Sequence, residues 1–265
     1  MHIVYNGQSL ETEARSLFSL VPAHAERVVI LNGFQTSADL PLADGDTITV
    51  IEKGVFPPQD ILQSMMAARH TPGVFERVQA ARVGIAGLGG LGSHIAFALA
   101  RTGVGHLHLV DFDVVEPSNL NRQCYRICDL GKTKTEALTE QLRAVNPYLT
   151  ITTDCVRVTS SNAAALFAQD PIVCEAFDAP ASKAALIDAV LSACPDTILV
   201  AASGMAGLDS CNTIQTRRIT SRFYLCGDEH TCAQPGRGLM APRVSVCAGH
   251  QANMILRLIV GEDTP

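Results

Sequence analysis

Residues with the chemistry of a nucleotide site are concentrated between positions 83 and 134. Residues 87–93 read Gly-Leu-Gly-Gly-Leu-Gly-Ser and follow an apolar run at 83–86 that is typical of a buried strand. Glycines at this spacing let the chain turn tightly and bring backbone N–H groups and a helix N-terminus against an anion. The pattern therefore predicts a phosphate-binding loop between a strand and an apolar-faced helix at 94–101.

Polar residues that follow this loop indicate which kind of anionic ligand it would bind. A second predicted strand, 106–110, places Asp111 at its carboxyl end, where a carboxylate can bind the ribose hydroxyls of a nucleotide. Arg122 and Lys134 add two cations beside the phosphates, which suits a triphosphate that is cleaved and which a dehydrogenase does not need. Lys134 falls in the first turn of a helix predicted at 133–145, where the helix dipole favours an anion. A lysine that binds phosphate would occupy this position despite the unfavourable helix dipole, although many lysines in first turns are simply solvated.

The composition restricts the class of protein. The 265-residue chain is 47% hydrophobic and has a formal net charge of −6, which argues against a nucleic-acid binder that relies on a broad basic surface. The N-terminus lacks the basic and apolar regions of a signal peptide, and no apolar run approaches the roughly 18 residues of a membrane span. Nine cysteines, an odd number, favour a reducing cytosol over a disulfide framework. We therefore predict a cytoplasmic protein without membrane or nucleic-acid partners.

Turn residues and strand patterns divide the chain into three parts. Residues 1–56 form a separate predicted unit. Its strands are predicted at 2–5, 8–12, 28–31 and 47–51, and its helix at 14–21. Residues 57–77 form a linker with an amphipathic helix at 59–68 and a short helix before the first core strand. Residues 78–265 form the nucleotide-binding unit.

The remaining strands of the large unit favour an α/β fold with a mostly parallel sheet. They are predicted at 149–153, 172–177, 197–202, 210–218 and 223–228, before a long helix at 243–260. Asp178 directly follows the second of these strands, and Ala179-Pro180 begins a helix. From the residues alone, Asp178 fits either a helix N-cap or a ligand-binding carboxylate at the edge of the sheet.

Together these motifs resemble the adenylation core of the ThiF, MoeB and ubiquitin-activating superfamily, whose members adenylate the C-terminal glycine of a ubiquitin-like protein. The resemblance covers roughly the last two-thirds of the chain and rests on four ordered motifs at 87–93, 111–113 (Asp-Phe-Asp), 118–123 (Ser-Asn-Leu-Asn-Arg-Gln) and Lys134. Further stretches resemble the shorter ThiF-like branch: residues 175–178, 201–207, 226–228 and 238–243. Residues 1–56 resemble the β-grasp, ubiquitin-like fold of the sulfur carrier ThiS. The resemblance implies a Rossmann-like ThiF adenylation domain preceded by a small β-grasp domain.

The resemblance also implies roles for individual residues, with ATP and Mg²⁺ as cofactors. Asp178 falls where the family places an Asp beside Mg²⁺ and the reacting phosphate, and Arg122 and Lys134 fall on the phosphates. Related enzymes place an arginine from the segment before the first core strand against the ATP phosphates. Arg69 is the nearest match by position, with an ordinary solvated arginine as the alternative. The implied nucleotide-binding residues are Gly87, Gly89, Gly90, Gly92, Asp111, Asp113, Asn119, Asn121, Arg122, Gln123, Lys134 and Arg69.

The sequence departs from the family at two points, in the carrier-like segment and in the cysteines. The ThiS-like segment reads Glu-Lys-Gly-Val-Phe-Pro at 52–57 and continues, so it favours a packing or docking module over an intramolecular substrate. Many relatives hold a structural zinc with two Cys-x-x-Cys pairs, which are absent here. Cys226, His230 and Cys232 have irregular spacing, so no zinc is predicted. For a cysteine that receives activated carrier or sulfur, Cys226 is the first candidate and Cys211 the second, with buried inert thiols as the alternative.

The predicted function is ATP-dependent adenylation of the C-terminal glycine of a sulfur carrier, in thiamine or related sulfur-transfer biosynthesis. The expected partners are a ThiS-like carrier that ends in Gly-Gly and, as a family expectation, a second copy in a homodimer. The Gly-x-Gly-x-x-Gly pattern with Asp111 about twenty residues further on also fits an NAD-dependent oxidoreductase. A non-catalytic ATP-binding scaffold with a degenerate carrier domain, and an adenylating enzyme that acts on RNA or a small acid, are further alternatives.

Overall fold

A computed structural model describes residues 1–71 and 73–265, with the side chains of all of them except residues 59 and 60. Residue 72, which belongs to the predicted linker, lies outside the described residues. The chain divides into two compact units, Met1–Glu76 and Arg77–Pro265.

The N-terminal unit contains a five-stranded sheet and two helices. Its elements are β1 (His2–Tyr5), β2 (Gln8–Glu11), α1 (Leu17–Leu20), β3 (Arg27–Leu31), β4 (Phe34–Thr36), β5 (Thr47–Glu52) and α2 (Gln59–Ala67). The strand order is β2-β1-β5-β3-β4, with β1 parallel to β5 and the other neighbours antiparallel. This mixed sheet confirms the predicted ubiquitin-like fold, and α2 confirms the amphipathic helix.

Two Asn-Gly turns fix the register of this sheet. In each hairpin the residues that flank the Asn-Gly pair face one another. The φ angles are 48° and 81° at Asn6 and Gly7, and 50° and 85° at Asn32 and Gly33, which is the left-handed combination that a type I′ hairpin needs. The return strand β4 was not predicted, because three residues are too few to show an alternating pattern.

The rest of the chain builds a seven-stranded sheet with its helices. The elements are α3 (Phe75–Ala80), β6 (Arg82–Ala86), α4 (Gly90–Thr102), β7 (His106–Val110), α5 (Lys134–Val145), β8 (Thr150–Asp154), α6 (Ala163–Leu166), β9 (Ile172–Glu175), α7 (Pro180–Ala193), β10 (Ile198–Ala202), β11 (Gln215–Thr220), β12 (Phe223–Gly227) and α8 (Ala241–Ile259). The strand order is β11-β12-β10-β9-β6-β7-β8, and all neighbours are parallel except β11 and β12. The predicted, mostly parallel α/β fold is therefore confirmed. Among the described residues, no helix is both long and apolar enough to cross a bilayer.

The strand order creates the crevice in which a ligand can bind. From β6 the chain moves outward to β7 and β8, and it then crosses to β9 on the other side of β6. Such a switch point leaves a crevice outside the carboxyl ends of the central strands, where open α/β sheets bind ligands. The glycine-rich stretch follows β6 and so begins at this crevice.

In the N-terminal unit, the helix predicted at 14–21 spans only Leu17–Leu20. Two predicted elements of the large unit begin four or more residues away from the predicted start. Helix α4 begins at Gly90 rather than at residue 94, so the last part of the glycine-rich stretch is the first turn of the helix. The strand predicted at 210–218 begins only at Gln215. Before it, Cys211–Thr213 forms a 3₁₀ turn, because the Ser210 hydroxyl accepts a hydrogen bond from the backbone N–H of Asn212.

The outer strand β11 is held by charged side chains and by the C-terminal tail. Arg217 pairs with Glu229, and Arg218 Nη1 lies 2.7 Å from Asp263 Oδ2. Tyr224, on the neighbouring strand β12, donates its hydroxyl to the Asp263 carbonyl at 2.9 Å. Polar contacts therefore fasten the tail to the two outer strands.

We expect Gly33→Ala to destabilise the chain more than Gly45→Ala. Both glycines have positive φ, +85° and +87°, which costs an alanine about 1–2 kcal/mol. A Cβ at position 33 would in addition lie 2.8 Å from the His70 carbonyl oxygen, whereas nothing lies within 4 Å at position 45. Urea denaturation followed by far-UV circular dichroism measures the loss of unfolding free energy in each variant. Amide exchange of β3 reports the local effect of the substitution at Gly33. Equal losses would contradict the steric contribution.

Candidate active site

A cavity of about 450 Å³ opens at the carboxyl ends of the central strands of the large sheet. Its lining comes from the loops after β6, β7, β8, β9, β10 and β12 and from the first turns of α4, α5 and α7. The volume lies in the range of small-molecule sites. The motifs predicted to bind a nucleotide therefore surround a cavity of suitable size.

Close packing of the glycine-rich loop requires glycine at two positions. Gly87 has φ of 91°, and a Cβ there would lie 3.0 Å from the Ala176 carbonyl oxygen. A Cβ on Gly92 would lie 1.8 Å from the carbonyl oxygen of Gly87, so Gly92 supports the loop from behind rather than lining the cavity. Gly89 and Gly90 do line the cavity, at the N-terminus of α4, where an anion is favoured.

Asp111 connects this loop to the end of β7. Its side chain is buried, and its carboxylate accepts hydrogen bonds from the backbone N–H groups of Leu88 at 2.7 Å and Asp113 at 2.8 Å. Burial raises the pKa of Asp111 above its ordinary value, while the nearby Lys134 ammonium acts in the opposite direction. The two hydrogen bonds hold the carboxylate in one orientation in the cavity wall.

Arg122 and Lys134 bring two cations to the cavity. Lys134 is the first residue of α5, and its Nζ lies 2.9 Å from Asp113 Oδ2. Arg122 Nη1 donates to the Ser118 carbonyl and to Asn121 Oδ1. Its Nε is buried and has no hydrogen-bond partner among the described residues. The Arg122 side chain thus lies at the cavity and has one buried donor that the described part of the chain leaves unpaired.

The three amide side chains predicted for this site occupy different positions. Gln123 lines the cavity, and its buried Oε1 has no hydrogen-bond partner within the described part of the chain. Asn121 lines an adjoining groove instead. Asn119 lines neither, because its Oδ1 accepts a hydrogen bond from the Glu116 backbone N–H and caps the turn Pro117–Asn119. A role for Asn119 in nucleotide binding stays a prediction.

The segment after β9 contributes Asp178 and a buried ion pair. Helix α7 has Ala179 at its N-cap and no side-chain cap, so the alternative that Asp178 caps this helix is wrong. Asp178 lines the cavity and the adjoining groove. Glu175 is fully buried, and its two carboxylate oxygens lie 3.1 and 3.0 Å from Lys183 Nζ. Burial raises the pKa of Glu175, and Lys183, a cavity residue that was not predicted, opposes this rise.

A groove of about 730 Å³ adjoins the cavity and shares five lining residues with it. The residues that line both are Arg122, Asp178, Ala179, Ala233 and Leu239. Gly238 and two alanines give part of the groove small side chains. An extended peptide in the groove would therefore reach the cavity between Arg122 and Asp178.

The cysteines of this region differ in exposure. Cys226 is fully buried in β12, and burial raises its pKa to about 11. A reactive thiol needs exposure and a lowered pKa, so the structure argues against the predicted catalytic role of Cys226. Cys211 is half-buried in its 3₁₀ turn and lines neither the cavity nor the groove. Cys232, considered above only as a metal ligand, is exposed and lines the cavity.

In the described part of the chain, no group of three or more His, Cys, Asp or Glu residues is placed to hold a metal ion.

Asp228 fixes the loop that carries Cys232. Its Oδ1 accepts hydrogen bonds from the backbone N–H groups of His230 at 2.9 Å and Thr231 at 2.8 Å, and its Oδ2 accepts one from the Thr231 hydroxyl. Asp228 also pairs with the buried Arg243 guanidinium. Burial alone would raise the pKa of Asp228, but these hydrogen bonds lower it to about 2. The loop is therefore held by a carboxylate that is ionised at neutral pH.

Arg69 belongs to the N-terminal unit. Its Nη2 donates to Gln35 Oε1 at 2.6 Å within that unit. The role of Arg69 on the phosphates of ATP stays a prediction.

Comparison with family models covers both units. The model of the ThiF family matches residues 62–265, and the model of ThiS-like ubiquitin matches residues 1–54. The chain belongs to the ThiF family. The match includes every residue that lines the cavity, so the site described above is the site of a ThiF-family protein.

Individual relatives agree with this placement. The molybdopterin-synthase adenylyltransferase of Escherichia coli is 33% identical over 196 residues, which cover 72% of this chain and 77% of that protein. The probable adenylyltransferase/sulfurtransferase MoeZ of Mycobacterium tuberculosis is 36% identical over 119 residues, so this ThiF-family chain spans only 30% of that relative. The crystal structure of E. coli tRNA N6-threonylcarbamoyladenosine dehydratase, TcdA, in complex with ATP, has a TM-score of 0.68 at 24% identity. It covers 78% of this chain and 97% of TcdA, which shows a shared fold.

We expect Lys183→Met to destabilise this ThiF-family fold strongly. Removing Lys183 leaves the fully buried Glu175 unpaired, which typically costs about 3–5 kcal/mol. The matched control is Lys132→Met, which breaks the surface pair with Glu140 and should cost at most about 1 kcal/mol. Urea denaturation measures both, and the double variant Glu175→Gln/Lys183→Met should recover much of the loss. Similar losses in the two lysine variants would contradict the buried-pair argument.

Proposed function

We propose that the protein is an ATP-dependent adenylyltransferase that activates the C-terminal glycine of a ThiS-like sulfur carrier. The observation that carries this proposal is the junction between the cavity and the groove. A cavity with two cations opens there, between Arg122 and Asp178, into a groove with small side chains. The α-phosphate of a nucleotide and the end of an extended peptide can meet at this junction.

The cavity offers each part of ATP a suitable partner. The glycine-rich loop and the N-terminus of α4 suit the phosphates, with Lys134 and Arg122 as counter-charges. Asp111 can accept hydrogen bonds from the ribose hydroxyls. These features belong to the ThiF-family pattern, which removes the support for an NAD-dependent oxidoreductase.

Magnesium fits one position in this site. Asp178 lines both the cavity and the groove, and Mg²⁺ is commonly held by one or two carboxylates together with substrate phosphates. When bound with ATP, the ion supplies positive charge for the leaving pyrophosphate. The contribution of the chain is to place the Asp178 carboxylate at the junction, directly between β9 and α7.

The reaction needs charge neutralisation rather than a general base. A C-terminal carboxylate has an ordinary pKa of about 3.3–3.7 and is ionised at neutral pH. Its approach to a triphosphate is opposed by repulsion, which Arg122 and Lys134 reduce. Attack of the carboxylate oxygen on the α-phosphorus forms the acyl-adenylate and releases pyrophosphate. Lys134 is already fixed by Asp113, so it need not reorganise during this step.

A separate carrier is favoured over the chain's own N-terminal unit as the substrate. That unit continues from Glu52, at the end of β5, through Gly54 into α2, so it offers no free carboxylate. Its match to ThiS-like ubiquitin supports a partner of the ThiS type, in thiamine or related sulfur-transfer biosynthesis. Ala179, Ala233 and Gly238 leave room in the groove for a Gly-Gly tail.

Cys232 replaces Cys226 as the candidate acceptor in a later step. Its thiol is exposed in the cavity lining, on the loop that Asp228 holds. Attack of the Cys232 thiolate on the acyl-adenylate carbonyl would form a thioester and release AMP.

We propose that the protein is cytoplasmic and forms a homodimer. The nine cysteines, all within the described residues, are free, and three of them are exposed, which supports a reducing compartment. The dimer rests on the family resemblance. Light scattering of the purified chain tests it directly.

ATP–pyrophosphate exchange tests the activity. We expect exchange with a ThiS-like carrier that ends in Gly-Gly, and none when its last two residues are removed. ATP binding without exchange would favour a non-catalytic scaffold. The fold shared with TcdA, a tRNA-modifying dehydratase, makes RNA the alternative to test. Exchange that requires RNA and does not depend on the carrier would favour an RNA-linked acid as the substrate.

The same assay tests the two cations. Arg122→Ala and Lys134→Ala should each slow exchange by about 10²- to 10³-fold, as expected when a donor that stabilises the transition state is lost. Arg143→Ala, which removes an exposed arginine near the end of α5, is the matched control and should leave the rate unchanged. Exchange at the normal rate in both cavity variants would reject these roles.

We expect the affinity for ATP to fall as the pH is lowered. The fall should begin at a pH at which an aspartate with an ordinary pKa would still be ionised. Because burial raises the pKa of Asp111, its carboxylate becomes protonated at a pH above the usual value of about 3.9 and then loses its capacity to accept both hydroxyls. Titration calorimetry between pH 7.5 and the pH of unfolding measures this loss. Asp111→Asn, measured in parallel, should show weaker binding and a flatter pH dependence. Parallel curves for the two proteins would contradict the assignment.

A further inference from the structure

One cation in the cavity has no part in the proposed reaction. Arg157 follows β8, and its Cζ lies 3.8 Å from the centroid of the Phe112 ring. Both side chains line the cavity, and Phe112 is 43% exposed. Among the side chains that the structure describes, no acidic group forms an ion pair with the Arg157 guanidinium. An exposed ring and an unpaired guanidinium thus lie face to face on one wall of the site.

The strand order separates this wall from the phosphate-binding part of the cavity. The relevant strands follow the order β6-β7-β8, with the glycine-rich loop after β6 and Asp111 after β7. Adjacent strands lie about 4.8 Å apart, so the end of β8 is about 10 Å from the end of β6. A nucleotide with its phosphates on the loop and its ribose at Asp111 therefore directs its base toward Arg157.

The surroundings of Arg157 suit a base better than a phosphate. Val156 and Val158 flank it in the cavity lining, and the Phe112 ring covers one face of its guanidinium. The guanidinium is planar, so the other face is available to a second flat group. Arginine contributes cation–π contacts to bases in nucleic-acid sites that also stack bases on aromatic rings.

We propose that Arg157 binds the base of the nucleotide and gives the site its preference for purines. The purine stacks on the guanidinium face that Phe112 leaves open, so the ring, the guanidinium and the base form three layers. A purine covers more of the guanidinium than a pyrimidine does. Phe112 is a positioning residue, because it acts on the base through Arg157. The inference rests on the proposed binding of a nucleotide, but it does not depend on the identity of the carrier.

Titration calorimetry of the full chain with ATP, CTP and inorganic tripolyphosphate tests this proposal. Arg157→Ala and Arg157→Lys should each weaken ATP binding by roughly 5- to 30-fold and reduce the preference for ATP over CTP. The affinity for tripolyphosphate should change by less than about twofold, because it has no base to stack. Arg157→Lys retains the charge but not the planar group, so it separates stacking from electrostatics. Arg143→Ala is again the matched control.

Three results would overturn the proposal. ATP binding at wild-type strength in Arg157→Lys would show that charge alone is sufficient. Equal losses for ATP and tripolyphosphate in Arg157→Ala would make Arg157 a phosphate ligand. An unchanged ATP to CTP ratio would remove the purine preference. Failure of the proposed function has a different signature, in which ATP binding depends on Arg157 but no carrier supports exchange.

A double-mutant cycle tests the three-layer arrangement. Phe112→Leu should weaken ATP binding by roughly 2- to 5-fold in the wild-type background, because the guanidinium loses the ring that holds it. In the Arg157→Ala background the same substitution should have little further effect. Additive losses would show that Phe112 contacts the base directly, and they would overturn the arrangement.

Discussion

The nucleotide cavity depends on one backbone contact, the approach of the first turn of α4 to the carbonyl of Gly87. A side chain at position 92 would place its Cβ 1.8 Å from that carbonyl oxygen, so the helix could not begin where it does. Because α4 begins at the loop, its N-terminus lies at the cavity. The loop also presents the Leu88 N–H to Asp111 at 2.7 Å. A single glycine thus determines where both the phosphates and the ribose would bind.

Ion pairs hold the charges around this cavity in place without a ligand. The pairs are Lys134 with Asp113, Lys183 with Glu175, and Arg243 with Asp228. Pairs that bury one or both ions contribute little net stability compared with apolar packing, because a buried ion loses its hydration. Their value here is positional, since each pair joins a helix to a loop or, for Glu175, to the end of a strand. Arg122 differs, because its Nη1 donates to a backbone carbonyl and an amide oxygen rather than to a carboxylate.

Local signals made much of the fold and part of the site predictable. Glycine spacing, a strand-end carboxylate and a cation in the first turn of a helix are all read within a few positions, and they predicted the loop, Asp111 and Lys134. Lys183 and Arg157 reach the cavity only because separate strands bring their segments together, so no local pattern marks them. The choice between Cys226 and Cys232 depended on burial, which spacing does not reveal.

The two edges of the large sheet restrict how copies of the chain can associate. On one edge, β11 carries Arg217 and Arg218, whose guanidinium groups pair with Glu229 and Asp263. On the other edge, β8 is short and largely polar, and its Asp154 pairs with a histidine of β7. Short strands and charged side chains discourage an edge from extending into a neighbouring sheet. Extension of the large sheet into a neighbouring copy by continuous β-pairing is therefore disfavoured at both of its edges.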